Sequence, residues 1–129
     1  MTLAVASGGS ANRSLEVAVE ECARSVRHGL GGTRPDLAFV FVTHHHGAAL
    51  RRAGTMVSAA LGGAKVAGCT GGWTATDTRE LEGSPGLAVL ALSCPGTRVR
   101  VEAFDGDADL VRIEDPARAS GVLFADPFT

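Results

Sequence analysis

The chain has 129 residues, of which 45% are hydrophobic and 20% charged, and its formal net charge is −2. This length is enough for one domain with its own core and too short for two, and the hydrophobic fraction excludes a disordered protein. The slightly negative charge argues against a protein that follows nucleic-acid phosphates, and no apolar run approaches the roughly 20 residues of a membrane helix. We therefore expect a soluble, cytoplasmic globular domain that binds neither nucleic acid nor a membrane.

The first part of the chain shows a strand and a helix pattern, followed by a second strand. Residues 3–6 are an apolar run that stops at residues 7–10 (SGGS), which predicts a short strand entering a turn. Apolar residues then recur every three or four positions over residues 15–30, which predicts an amphipathic helix. Either Ser14 or Asn12 can cap its first turn. Residues 37–42 (LAFVFV) are a continuous apolar run, which is typical of a strand buried on both faces.

A second helix and a third strand continue this alternation. Thr43 and three histidines lead into an apolar stripe over residues 50–61, and residues 65–69 (KVAGC) read as a short strand. The order strand, helix, strand, helix, strand implies adjacent parallel strands joined by right-handed crossovers.

The pattern changes after Cys69. Residues 70–82 are polar and glycine-bearing, which predicts a long loop, and loops of that length are often functional. Residues 87–103 predict a hairpin, because a buried strand is followed by a turn and then by strict alternation over residues 99–103. A final apolar strand is predicted over residues 121–129. The predicted fold class is therefore α/β of the mixed α+β kind, in which a parallel β-α-β-α-β start is followed by antiparallel strands and the helices pack on a mixed sheet.

Three segments in a fixed order resemble the N-terminal FIST domain (F-box and intracellular signal transduction). They are residues 34–43 (RPDLAFVFVT), residues 65–72 (KVAGCTGG), and Glu82 with the strand that follows it. The closing LFADPFT of residues 123–129 is similar to a late segment of that family. The resemblance implies that residues 1–129 form a single FIST N-terminal-like domain that is incomplete at its C-terminus.

The resemblance also implies a function. Members of this family are sensory, ligand-binding domains of intracellular signal transduction, and small ligands such as amino acids have been proposed for them. We therefore expect a non-catalytic domain that binds an amino acid or another small carboxylate. Its expected partner is a C-terminal FIST region or another signalling domain that this chain lacks.

The candidate ligand site is expected where the parallel strands end. Open α/β sheets bind ligands beyond the carboxyl ends of their strands, and glycines there let backbone amides approach a ligand. Thr70 can donate a hydrogen bond, and Trp73 can wall the pocket. The residues predicted to bind the ligand are Ser7, Gly8, Gly9, Ser10, Thr43, His44, Gly68, Cys69, Thr70, Gly71 and Trp73.

Other interpretations of these residues stay open. Cys69, with a nearby histidine of residues 44–46, could serve a cysteine-dependent hydrolase or acyl-transfer enzyme, although free cysteines are more often buried in cores. Residues 7–10 could be a simple turn before the helix. Alternatively, the chain could be a fragment that assembles with a partner through an apolar edge at residues 123–128.

No metal and no other cofactor is predicted. Three successive histidines point in different directions, whereas zinc takes ligands from separated positions. The three cysteines lie far apart in the sequence without a CxxC spacing, which indicates neither a zinc knuckle nor a disulfide framework.

Overall fold

A computed structural model describes residues 2–103 and 113–125 of the chain. The elements are β1 (Ala4–Ser10), α1 (Leu15–Gly29), β2 (Leu37–Thr43), α2 (His44–Gly47), α3 (Leu50–Ala60), β3 (Lys65–Gly71), β4 (Thr74–Ala75), β5 (Glu80–Leu81) and β6 (Leu87–Ser93), with a short 3₁₀ turn at Pro116–Arg118. None of the helices in the described ranges is long and apolar enough to cross a membrane.

Helix α1 begins and ends where its sequence signals predict. The Ser14 hydroxyl accepts a hydrogen bond from the Val17 N–H at 3.3 Å, which satisfies one of the free amides of the first turn. Beyond the last turn, Gly31 and Gly32 adopt φ angles of 58° and 81°, a region that favours glycine. The residues that α1 buries are Leu15, Ala18, Val19, Cys22, Ala23 and Val26. The predicted amphipathic helix is therefore confirmed.

The main sheet has the strand order β1-β6-β2-β3. Strand β6 is antiparallel to both β1 and β2, whereas β2 and β3 are parallel. The predicted mixed α+β fold is confirmed, and so is the parallel pairing of β2 with β3. The prediction that β1 and β2 are adjacent is wrong, because the strongly apolar β6 takes the position between them. Strand β1, which carries serine and glycine, is an outer strand of the sheet.

The core lies on the face of the sheet that α1 and α3 cover. Ala38, Val40 and Val42 of β2 point into it together with Leu87 and Val89 of β6, and all five are at most 1% exposed.

The opposite face of the sheet is only partly covered. Phe39 and Phe41 of β2 are half-buried, and the Phe124 ring packs edge-on against them at centroid distances of 5.8 and 5.7 Å. Leu90 of β6 is 37% exposed. The prediction that the apolar strands are buried on both faces is thus confirmed for the face that the helices cover. On the opposite face their burial is incomplete.

The second half of the chain departs from the prediction. Residues 99–103 form no strand, and both edges of β6 are already hydrogen-bonded to β1 and β2, so the predicted hairpin over residues 87–103 is wrong. Residues 121–125 have no regular structure, and residues 126–129 of the predicted final strand lie outside the described residues. The predicted long loop contains the small β4–β5 hairpin.

Candidate functional site

Three strand ends meet at one edge of the sheet. Because β1, β2 and β3 run in the same direction, their last residues Ser10, Thr43 and Gly71 lie together beside the start of β6. In register, Ser10 is opposite Leu87 and Thr43 is opposite Gly71. We name this region the strand-end edge. The convergence expected from the sequence is present, and the binding role of its residues stays a prediction.

Thr43 is the hydrogen-bonding centre of the strand-end edge, and its side chain is fully buried. Its hydroxyl oxygen accepts from the Gly86 N–H at 2.9 Å and lies 3.3 Å from the Ser84 carbonyl and 3.2 Å from Nδ1 of His45. A hydroxyl has one donor and two acceptor positions. All three are used when Thr43 donates to Ser84 and accepts from Gly86 and from a protonated Nδ1 of His45. Thr43 therefore clamps the segment before β6 to the end of β2.

The three histidines divide into one structural and two exposed side chains. His46 is only 6% exposed, and its Nε2 donates to the Asn12 carbonyl at 3.1 Å, which fastens α2 to the loop between β1 and α1. His44 and His45 are exposed, with ring centroids 3.9 Å apart. Adjacent residues thus present two imidazoles side by side at the strand-end edge.

Basic side chains gather around His45. Desolvation by neighbouring groups, followed by repulsion from His44, His46 and Arg13, lowers the pKa of His45 below its ordinary value of 6.5. The three neighbours whose repulsion lowers this pKa are all basic side chains. A carboxylate placed among these side chains would relieve their mutual repulsion.

The end of β1 differs from the prediction. Residues 7–10 belong to the strand, so the predicted turn there is wrong; β1 continues because it pairs with β6 as far as Ser10. The Ser7 hydroxyl donates to Oδ1 of Asp77 at 2.6 Å. The buried Ser10 hydroxyl donates to the carboxylate of Glu21 and accepts from the Asn12 N–H at 3.1 Å. Both hydroxyls are thus engaged within the protein.

Three of the predicted glycines are packing positions. A Cβ at Gly8 would lie 2.5 Å from the Cys22 carbonyl oxygen of α1, and a Cβ at Gly68 would lie 1.8 Å from the Val40 carbonyl oxygen of β2. Gly8 and Gly68 lie inside their strands, away from the strand-end edge. A Cβ at Gly9 would meet the Thr76 side chain at 2.7 Å. The absence of a side chain at these positions allows neighbouring elements to approach closely.

The remaining predicted residues follow one another at the end of β3. Cys69 is half-buried and lies opposite Phe41 in register, whereas Thr70 and Gly71 are exposed. Trp73 lies between β3 and β4, and 68% of its surface is exposed. No hydrogen bond joins Cys69 to a histidine in the described parts of the chain, where two of the histidine ring nitrogens are engaged by Thr43 and Asn12.

Two site residues were missed by the sequence analysis, Thr74 and Gly86. A Cβ at Gly86 would lie 2.8 Å from Cγ2 of Thr43 and 2.9 Å from Oγ1 of Thr74, so the three residues pack against one another. Thr74 is 4% exposed, and its hydroxyl has no hydrogen-bond partner within residues 2–103 and 113–125. Both residues lie in a segment without hydrophobic periodicity, where no sequence signal marks a buried position.

Comparison with known proteins places the chain in a family. The family model described as the FIST N domain matches residues 36–129, from the start of β2 onward, and leaves β1 and α1 outside the match. A search of curated proteins finds no match to the chain. The matched region contains β2, β3 and β6 as well as Thr43, Thr74 and Gly86. The chain therefore belongs to the FIST N domain family, which is associated with signal transduction.

Proposed function

We propose that the chain is a small-molecule-sensing domain that binds an amino acid or another small carboxylate at the strand-end edge without catalysing a reaction. The observation that carries the proposal is the meeting of Thr43, the histidines and Arg13 where three strands end. Strand ends of this kind are the usual binding positions of open sheets that contain parallel strands. The association of the family with signal transduction supports a sensory role.

The electrostatics of the edge support an anionic ligand. His44, His45 and His46 together with Arg13 form a basic group, and no ion pair with an acid is made by any of the four within the described residues. An arginine binds a carboxylate through two parallel hydrogen bonds, and a protonated imidazole adds a charge-assisted one. Arg13 and the histidines can therefore donate hydrogen bonds to the carboxylate of a ligand at the strand-end edge.

The cysteines support a binding role over a catalytic one. Burial, followed by the nearby Glu21 carboxylate, raises the pKa of the Cys22 thiol to about 12, so this thiol cannot act as a nucleophile at neutral pH. Nucleophilic catalysis by Cys69 would need a base within hydrogen-bond reach. His45 and His46 instead hold Thr43 and Asn12 with a ring nitrogen each. Cys69 is half-buried opposite Phe41, and within the described residues it forms no hydrogen bond with a histidine.

A thermal melt in the presence of candidate ligands tests the proposal. The probes are the twenty standard L-amino acids, acetate and succinate, each added to the purified chain. A ligand at about 100 times its dissociation constant adds about 2.7 kcal/mol of stability, which raises the melting midpoint by several degrees. The proposal predicts that at least one probe does so, and it fails if none does.

The variant Cys69→Ser separates binding from cysteine chemistry. We expect it to fold and to keep the probe-induced shift, because a hydroxyl of similar size replaces a thiol that makes no described hydrogen bond. Covalent turnover of an ester substrate by the wild type that disappears in Cys69→Ser would instead establish a cysteine-dependent enzyme.

A further inference from the structure

We propose that the outer side of β3 is a docking site for an acidic, extended peptide segment of a partner protein, which adds to the sheet as an antiparallel strand. This inference does not depend on the proposed function, because it uses the side of β3 and not the strand ends. The main sheet ends at β3, which pairs with β2 on one side only. A strand in this position presents unpaired backbone groups, onto which another chain can add.

The register of the sheet shows which backbone groups of β3 are unpaired. The Lys65 N–H donates to the Asp36 carbonyl at 2.9 Å, so the backbone groups of Lys65 point towards β2. Successive residues of a strand direct these groups to alternate sides, and the parallel register continues without a break to the end of β3. The N–H and C=O groups of Val66, Gly68 and Thr70 therefore point outward. None of them has a hydrogen-bond partner in the part of the chain that the structure describes.

A groove between α3 and β3 lies beside these unpaired groups. Its volume is about 640 Å³, and its walls include Val66 and Gly68 of β3 as well as Leu50, Gly54 and Thr55 of α3. All of these except Thr55 are half-buried. An apolar wall next to an unpaired strand favours an extended peptide, because the peptide backbone pairs with the strand while alternate side chains enter the groove.

Arg51 gives the groove a positive charge. The Ser58 hydroxyl donates to the residue that precedes β3, whereas Gly54 lies against Val66, so α3 runs antiparallel to β3 and Arg51 lies near Gly68. The Arg51 side chain is exposed and forms no ion pair with an acid within residues 2–103 and 113–125. A carboxylate on the bound peptide supplies that partner through two parallel hydrogen bonds.

The same charge disfavours a second copy of this chain as the occupant. Two copies that pair through β3 about a two-fold axis would present the same surface to each other. Both copies of Arg51 would then lie in one interface, where like charges repel. An acidic peptide instead meets a groove whose described lining contains one cation and no acid.

A designed heptapeptide with the sequence TVTETVT, capped at both ends and carrying a fluorophore, is the probe. Its length matches the seven residues of β3, and its pattern is the same in both directions. When its central glutamate lies opposite Gly68, the glutamate side chain is on the groove side of the sheet, because directly opposite residues share a face. Fluorescence anisotropy measures its affinity for the purified chain.

Reversal of charge tests the role of Arg51. We expect saturable binding to the wild type, about tenfold weaker binding to Arg51→Glu, and wild-type affinity in Arg24→Glu, which reverses an exposed arginine of α1. Arg51→Glu should fold, since an acid suits the exposed first turn of a helix. A peptide with lysine in place of the central glutamate should bind Arg51→Glu more tightly than it binds the wild type.

Methylation of the peptide's backbone nitrogens tests strand addition. In the antiparallel register the second and fourth residues direct their N–H groups to β3, and the third and fifth direct theirs away. Methylation of the second and fourth nitrogens should abolish binding, whereas methylation of the third and fifth should preserve it. In the complex with the unmethylated peptide, the amides of Val66 and Gly68 should exchange more slowly with solvent.

Several results would refute the proposal. They are the absence of saturable binding up to about 1 mM peptide, equal loss from both methylated peptides, and an affinity that ignores the charge at Arg51, as for a peptide held at the strand-end edge. Dimerisation of the chain alone that protects the Val66 and Gly68 amides would also refute it, because a second copy would then occupy the groove. The proposed function stands in each of these cases, since it is tested by small carboxylates.

Discussion

Substitution of Gly8 by alanine distinguishes a packing glycine from a ligand-binding one. The added Cβ would lie 2.5 Å from the backbone oxygen of Cys22 and 3.0 Å from its Cα. Ordinary contacts begin near 3.4 Å, so β1 and α1 must separate by roughly 1 Å. Overpacking of this kind costs about 1–3 kcal/mol, and replacing a strand glycine by alanine returns about 0.5–1 kcal/mol.

The net effect of Gly8→Ala should be a destabilisation of about 1–2 kcal/mol, or about 4–8 °C in the melting midpoint for a domain of this size. Differential scanning calorimetry measures it. Gly72→Ala is the matched control, because a Cβ there meets nothing within 4 Å and its φ is not positive; it should melt with the wild type or slightly higher. A Gly8→Ala variant that melts like Gly72→Ala would refute the packing argument.

Three further predictions follow from the core, the histidines and the thiols. Leu87→Ala should lower the free energy of unfolding by about 2–5 kcal/mol in a urea titration, because this fully buried side chain lies at the centre of the core. Because the pKa of His45 is lowered in the folded protein, the unfolded chain binds more protons than the folded one just below pH 6.5. The melting midpoint should therefore fall as the pH drops from about 7.5 to 5.5. It should fall less in the variant His45→Gln, which lacks this group. In the native protein at about pH 8, iodoacetamide should label Cys69 and leave the buried Cys22 unmodified, as peptide mass spectrometry would show.

The elements that depend on local patterns could be predicted from the sequence. The 3.6-residue stripe of α1 and the apolar runs of β2 and β6 are local signals, and each forms the predicted element. The position of β6 between β1 and β2 is not a local property. The position of β6 depends on long-range pairing, and β6 pairs with both β1 and β2. Residues 99–103, whose alternating pattern predicts a strand, therefore find no free edge of β6 with which to pair.

The candidate site was predictable in outline and not in detail. The strand-end rule correctly brings Ser10, Thr43 and Gly71 to one edge, because it depends only on strand direction. It cannot tell a glycine that approaches a ligand from one such as Gly68, which accommodates a neighbouring strand. Nor can it find Thr74, whose burial results from how a loop folds back over Thr43.

The central claim, that a small carboxylate binds at the strand-end edge, is tested most directly by an amide NMR titration with the probe that most raises the melting midpoint. The account predicts saturable shifts at the amides of Thr43, His46 and Gly86, while the amide of Lys65 at the opposite end of the sheet stays unchanged. Saturable shifts confined to the Lys65 end of the sheet, or no saturable shifts at all, would contradict it.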